Sequence, residues 1–395
     1  MTEALETFRR ETRAWLEDNC PEKMRGDYTA DKACWGGRKW VFTSEEQKIW
    51  LERMAEKGWV APTWPKEYGG GGLTKDEAEV LREEMHRIRA FPPHENFGMS
   101  MLGPALLKFG THEQKAKYLP PIARGEIRWC QGYSEPGSGS DLASLKTKAE
   151  DKGDHWLVNG QKVWTSYADQ ADWIFCLTRT DNSGPKHQGI TFMLFDMESD
   201  GVSTKPIKLI SGRSPFCETF LDDVKVPKDG TEIVGEMGEG WRVATYLLTH
   251  EREMISGMFG GAGTRFVGQI AAQEMGTDEK GRIEDPMLRA RAAQADLDGW
   301  AFLTLMKATK DRAEAGVSLG AQSSALKYYG TELNKRRYEL MMDIGGSDEL
   351  EWETERNNDG DRARSWLRTR ANSIEGGTSE IQLNIIAKRI LELPG

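Results

Sequence analysis

Residues 132–141 read Gly132-Tyr133-Ser134-Glu135-Pro136-Gly137-Ser138-Gly139-Ser140-Asp141. Glycine and proline at this density force a turn, and such a turn can aim backbone N–H groups outward at an acceptor. Alone, such residues more often make simply a tight turn with no further use. About 25 residues on stands Trp164-Thr165-Ser166, an aromatic face with two adjacent hydroxyls. That set can stack on a flat heteroaromatic cofactor and hydrogen-bond its edge. The competing reading of Trp164 is a ring that plugs a sheet core. Neither stretch has the strand–GxGxxG–helix form of the dinucleotide fingerprint, so a cofactor held here is held another way.

The elements that must position these residues fall into three sections. To about residue 125 the pattern is helical: Leu5, Phe8, Trp15 and Leu16 share a helix face that Pro21 should stop. Thr43 with Glu46, and Thr111 with Gln114, read as capping boxes. The middle section is β-rich. His155–Val158 and Gln161–Trp164 flank Asn159-Gly160, which predicts a hairpin closed by a type I′ turn. Further strands are expected over Ala171–Thr180, Gly189–Met197 and Cys217–Val226. From about Gly240 helix returns, over 240–275, 285–315, 318–342 and Thr378–Leu391. The expected fold is α+β, with an N-terminal helical domain (1–125), a middle antiparallel β domain (126–238) and a C-terminal four-helix bundle (239–395).

A net charge of −10 excludes a protein that binds duplex nucleic acid through a general positive footprint. Five cysteines without C-x-x-C spacing and only six histidines give no basis for a metal site. Scattered thiols, an N-terminus without an apolar signal core and no membrane-length apolar run predict a soluble, cytoplasmic protein with no membrane association.

Taken together, the run GYSEPGSGSDLASLKTKAE, then GQKVWTS and ADWIFCLTRTD, and near the C-terminus IEGGTSEIQLNIIAKRIL, resemble the two signatures of the acyl-CoA dehydrogenases. The similarity runs in order over nearly the whole chain. It implies FAD as cofactor, with Tyr133, Ser134 and Ser140 lining it, Trp164 over the isoalloxazine ring and Ser166 at its polar edge. Gly377, Thr378 and Glu380 fall where the family contacts the cofactor again. The implied reaction removes the α-proton of an acyl-CoA thioester while hydride leaves the β-carbon for flavin N5. It yields a trans-2-enoyl-CoA, and electrons pass to an electron-transfer flavoprotein.

Such chemistry needs one carboxylate base in a dry site and donors on the thioester oxygen. Many family members carry the base immediately before the Gly-Thr-Ser element, where this chain has Gly376, with Glu375 one residue early. Leu248-Thr249-His250-Glu251-Arg252 resembles the pattern of branches whose base lies on the first C-terminal helix. By that resemblance Glu251 is the base, Arg252 an active-site arginine, and Glu375 the alternative base; the Gly376 N–H remains able to bind the thioester oxygen. As bare helix residues, Glu251 and Arg252 would simply be solvated.

Two family features are missing. No Arg-x-x-Phe-Gly element follows the first long helix, leaving Arg282 and Arg289 as substitutes, and Met342-Asp343-Ile344 replaces a glutamine before Gly345-Gly346. The expected assembly is therefore a homo-tetramer or an α2β2 hetero-tetramer of the kind acting on steroid-like acyl-CoA. An acyl-CoA oxidase or monooxygenase on the same fold, and a non-catalytic DNA-associated relative, are the competing classes.

Overall fold

The computed structural model describes residues 2–248, 266–315 and 320–394. The described chain divides into two compact units, 1–207 with 215–247, and 208–214 with 248–395.

The first unit opens with helices α1 (Glu3–Asn19), α2 (Glu45–Glu56) and α3 (Lys75–Arg87). Their apolar faces meet around Leu16, Trp50, Met54, Trp59, Leu81 and Phe91. The Trp50 indole N–H donates to the Phe91 carbonyl at 3.0 Å, which satisfies the one polar atom of that buried ring. A π-helical turn, Gly98–Leu102, leads into α4 (Gly103–Phe109) and α5 (His112–Ala123). The capping box expected at Thr111 and Gln114 is present at α5. At α2 the cap is Ser44, one residue later than expected, and Gln47 reaches back to the Thr43 N–H. A further capping box, Thr74 with Glu77, starts α3.

Seven strands follow among the described residues: β1 (Trp129–Gly132), β2 (Lys148–Asp151), β3 (His155–Ser166), β4 (Trp173–Arg179), β5 (Ile190–Asp196), β6 (Val202–Ile207) and β7 (Phe216–Pro227). They form one curled sheet, mostly antiparallel, with β4 running parallel to β1 and β2. The strands expected at Ala171–Thr180, Gly189–Met197 and Cys217–Val226 are β4, β5 and β7 within a residue or two.

The hairpin expected at Asn159-Gly160 is not there. β3 runs straight through as a twelve-residue strand, and Asn159 sits at a register shift against β7. Asn159 exchanges hydrogen bonds with Asp223, each 2.9 Å, while a Cβ at Gly160 would lie 2.5 Å from the Thr147 hydroxyl. The pair makes a bulge and a close strand approach instead of a turn. The true turn lies upstream at 152–154, joining β2 to β3, with Gly153 at φ +95°.

Polar contacts join the helical part of this unit to the segments that flank its strands. Gln114 donates to the carbonyls of Thr231 and Ile233, and buried Asp172 accepts the N–H groups of Arg38 and Arg128. A further helix, α6, is described over 240–248. In the second unit α7 (Val267–Met275), α8 (Pro286–Glu314) and α9 (Gln322–Gly345) enclose Ala271, Leu288, Ala292, Leu340 and Ile344. α10 (Asp361–Thr369) and α11 (Ser379–Arg389) complete it. Among the described residues no helix is long and apolar enough to cross a membrane.

Candidate active site

In the first unit the loop leaving β1 and the end of β3 lie side by side. The Val163 N–H donates to the Ser134 carbonyl at 2.9 Å, and Glu135 and Ser138 exchange backbone hydrogen bonds that close the turn. Gly137, Gly139 and Ser140 lie exposed on the open side, and a Cβ at either glycine would meet nothing within 4 Å.

Trp164 is 54% exposed at φ +62°, beside a register irregularity between Lys162 and Thr165. A tryptophan in left-handed backbone is strained, and strain of this kind collects at functional sites. Its ring meets Phe216 edge-on at 6.1 Å, so it is a presented aromatic face rather than a core plug. Ser166 is half-buried two residues on. Tyr133, just past the end of β1, has a ring 5% exposed that packs edge-on against Phe175 and Phe192, which leaves its backbone rather than its ring to the loop.

The loop is anchored by residues that sequence reasoning did not single out. Glu135, buried, accepts the Lys162 ammonium at 2.9 Å and the N–H groups of Lys146 and Thr147 at 2.7 and 2.8 Å. Burial works to raise the Glu135 pKa, but the Lys162 charge and the hydrogen bonds outweigh it and hold the group below its ordinary value. The available signal was a lysine at an inward strand position of GQKVW, which has to find a charge partner once buried.

The second unit carries the C-terminal turn. Gly376 and Gly377 adopt φ +63° and +91°, and the Gln382 amide donates to the Gly376 carbonyl at 2.9 Å. The left-handed backbone at Gly376 is one that glycine adopts without strain. Glu375 accepts from Arg368 at 2.6 Å and from the Asn372 amide at 2.5 Å, so both its oxygens are engaged. Buried Lys327 on α9 donates to the Asn372 carbonyl at 2.9 Å and steadies the same turn. Thr378 caps α11 through the Ile381 N–H, and Glu380 is exposed in its first turn. Glu251 and Arg252 lie outside the described residues. Arg282 is bonded to Asp278, and Arg289 to the Ile283 carbonyl, so each is engaged locally.

Comparison with known proteins converges on one family. Residues 2–126, 130–224 and 238–391 match the acyl-CoA dehydrogenase N-terminal, middle and C-terminal domains. The chain is 36% identical to "Acyl-CoA dehydrogenase IpdE1" of Mycobacterium tuberculosis, over 99% of this chain and 98% of that one. Among solved structures it resembles the "Tcur3481-Tcur3483 steroid ACAD" (TM-score 0.78, 31% identity, 100% and 98% coverage). It also resembles the ChsE4-ChsE5 complex of Mycobacterium tuberculosis (TM-score 0.73, 29% identity, 100% and 98% coverage). The chain belongs to the acyl-CoA dehydrogenase family, FAD-dependent oxidoreductases that act on acyl-CoA thioesters. The open loop edge and the presented Trp164 face fit a flat cofactor that carries phosphates.

Proposed function

We propose that this chain performs the α,β-dehydrogenation of a bulky, steroid-like acyl-CoA, with Glu251 as the base, as one chain of a hetero-tetramer. Its likeness over nearly full length to the Tcur3481-Tcur3483 steroid enzyme carries the reading. The functional segments we assign are 1–125, 126–238 and 239–395.

FAD supplies the two-electron acceptor, and the electrons go on to an electron-transfer flavoprotein. Ser134, Ser140 and Ser166 offer hydroxyls to the cofactor, Trp164 its ring and Tyr133 its backbone; Gly377, Thr378 and Glu380 are assigned to it by family resemblance. The α C–H beside a thioester is a weak acid, so the base must be uncommitted and shielded from water. Glu375 is committed to Arg368 and Asn372, and position 376 has no side chain, which favours Glu251. Arg252 then stands beside the base, and the Gly376 N–H serves the thioester oxygen as negative charge develops there.

Anaerobic flavin bleaching tests this directly. Straight-chain, branched and steroid acyl-CoAs are offered in turn, with the steroid thioester expected to bleach fastest. Glu251→Gln should slow bleaching by about 10²–10⁴-fold with FAD still bound, the span a general base contributes. Glu375→Gln should cost less than about tenfold. The reverse order for the two variants would move the base to Glu375. Rapid reoxidation of the reduced enzyme by air would instead mark an oxidase.

A further inference from the structure

Outside the residues assigned to cofactor or substrate, the first unit buries one ion pair at the root of the loop that faces the flavin. Lys162 has no exposed surface and Glu135 almost none. Burying two charges is expensive, and an apolar pair of similar volume would stabilise the sheet as well or better. The geometry gives the pair a different use. Lys162 Nζ donates to Glu135 Oε1 at 2.9 Å and to the Tyr133 carbonyl at 3.2 Å. Glu135 accepts the N–H groups of Lys146 and Thr147, so residues 133–135, where the loop departs, are tied to 146–147, where it returns. The return side is braced again by buried Arg179, whose guanidinium donates to the Ala143 carbonyl at 2.6 Å and whose backbone N–H donates to the Thr147 carbonyl at 2.6 Å. Lys162 itself stands two residues before Trp164, on the same strand and at the start of the irregularity that turns the indole outward.

We infer that the Lys162–Glu135 pair is a positioning lock for FAD: it fixes the separation between the Ser134–Ser140 edge and the Trp164 face without touching the cofactor. The inference rests on the assignment of those two elements to the flavin. Hydrogen bonds to named backbone atoms specify a distance in a way that apolar packing does not, and a cofactor held by two elements needs that distance held. Lys162 and Glu135 are positioning residues in this account, and their effect reaches the flavin through the backbone.

The test uses the full chain with Lys162→Met, Glu135→Gln, the double variant, and Glu84→Gln as a control. Glu84 on α3 accepts from Arg9 and Arg13 of α1, which ties the two helices, and from Arg87 of its own helix; it belongs to a different part of the unit. The FAD dissociation constant, the visible band shape of bound FAD and the melting temperature of the apoprotein are read for each. Each single lock variant should weaken FAD binding by at least about tenfold and blur the flavin band, and the double should lose less than the product of the singles. Glu84→Gln should lower the melting temperature and leave FAD affinity within about twofold. If a single variant does not fold, the double, which leaves no buried charge unpaired, is read in its place. Folded variants that bind FAD with the parental constant and spectrum overturn the lock. So does a Glu84→Gln effect on affinity equal to theirs, which would reduce the pair to general stability. A parent chain that takes up no FAD, alone or with a partner chain, sinks the flavin assignment and the lock together. Parental affinity in the variants sinks the lock alone.

Discussion

Trp164 carries two opposing energies, and their balance can be predicted. Left-handed backbone at a residue with a Cβ costs roughly 1–2 kcal/mol, which glycine would not pay. Against that, its half-exposed ring gains about 1 kcal/mol from the edge-on contact with Phe216. For the apoprotein the terms nearly cancel, so Trp164→Gly should shift the melting temperature by no more than a few degrees. For the cofactor only the ring matters. Its loss should weaken FAD binding by about tenfold, read by fluorescence titration, because stacking of this kind contributes on the order of 1 kcal/mol or more. A large drop in melting temperature with unchanged FAD affinity would return the tryptophan to a structural role. At this scale the sequence names the residues able to do chemistry, and the fold leaves Trp164, Ser140, Gly137 and Gly139 exposed. The Tyr133 ring is buried against Phe175 and Phe192, and no local pattern in the sequence carries that, because its partners lie about 40 to 60 residues away.

Elements were legible wherever one pattern ruled and illegible wherever two competed. The stripe of Leu5, Phe8, Trp15 and Leu16 gave α1, and the apolar runs gave β4, β5 and β7 almost to the residue. Asn159-Gly160 carried a strong local turn signal, yet Asn159 found Asp223 across the ladder and Gly160 found Thr147, so pairing along all of β3 outweighed the turn. Contacts of that range have no local trace in the chain. The same holds for the link between α1 and α3. Glu84, buried, accepts from Arg13, Arg87 and Arg9, and Arg13 above all draws its carboxyl down to about 2 from an ordinary 4.5. A carboxylate with a lower pKa folded than unfolded binds fewer protons folded, so its contribution is complete above about 4.5 and drains away as pH falls toward about 2. Glu84→Gln should therefore destabilise the unit at neutral pH by on the order of 3 kcal/mol, less if the half-exposed arginines find water. The gap between variant and parent in chemical denaturation should narrow steadily from about pH 5 to pH 3. A gap that widens on acidification would mean the pair is held by something other than its charge.

At the scale of the whole molecule the prediction concerns the assembly that holds the cofactor. FAD carries a pyrophosphate, which calls for cationic or N–H donors in fixed positions. The family element that supplies an arginine across a subunit interface is absent from 276–291, and its nearest substitutes are engaged close to home, Arg282 with Asp278 and Arg289 with the Ile283 carbonyl. An interface with a second polypeptide would be encoded in two sequences, and this chain carries only its own side of one. The solved relatives of this chain include assemblies of two different polypeptides, the Tcur3481-Tcur3483 enzyme and the ChsE4-ChsE5 complex. If this chain likewise depends on a different partner, then purified alone it should carry clearly less than one FAD per chain and lose flavin on gel filtration. Co-expression with a second, non-identical acyl-CoA dehydrogenase chain from the same genome should raise flavin content and give a single species of both polypeptides. Adding excess FAD to the lone chain should not reproduce that species, since the deficit lies in protein donors and not in cofactor supply. A lone chain that elutes as a homotetramer with one tightly held FAD per subunit would show that Arg282, Arg289 or another cation of this same sequence completes the site, and the hetero-tetramer would have to be given up.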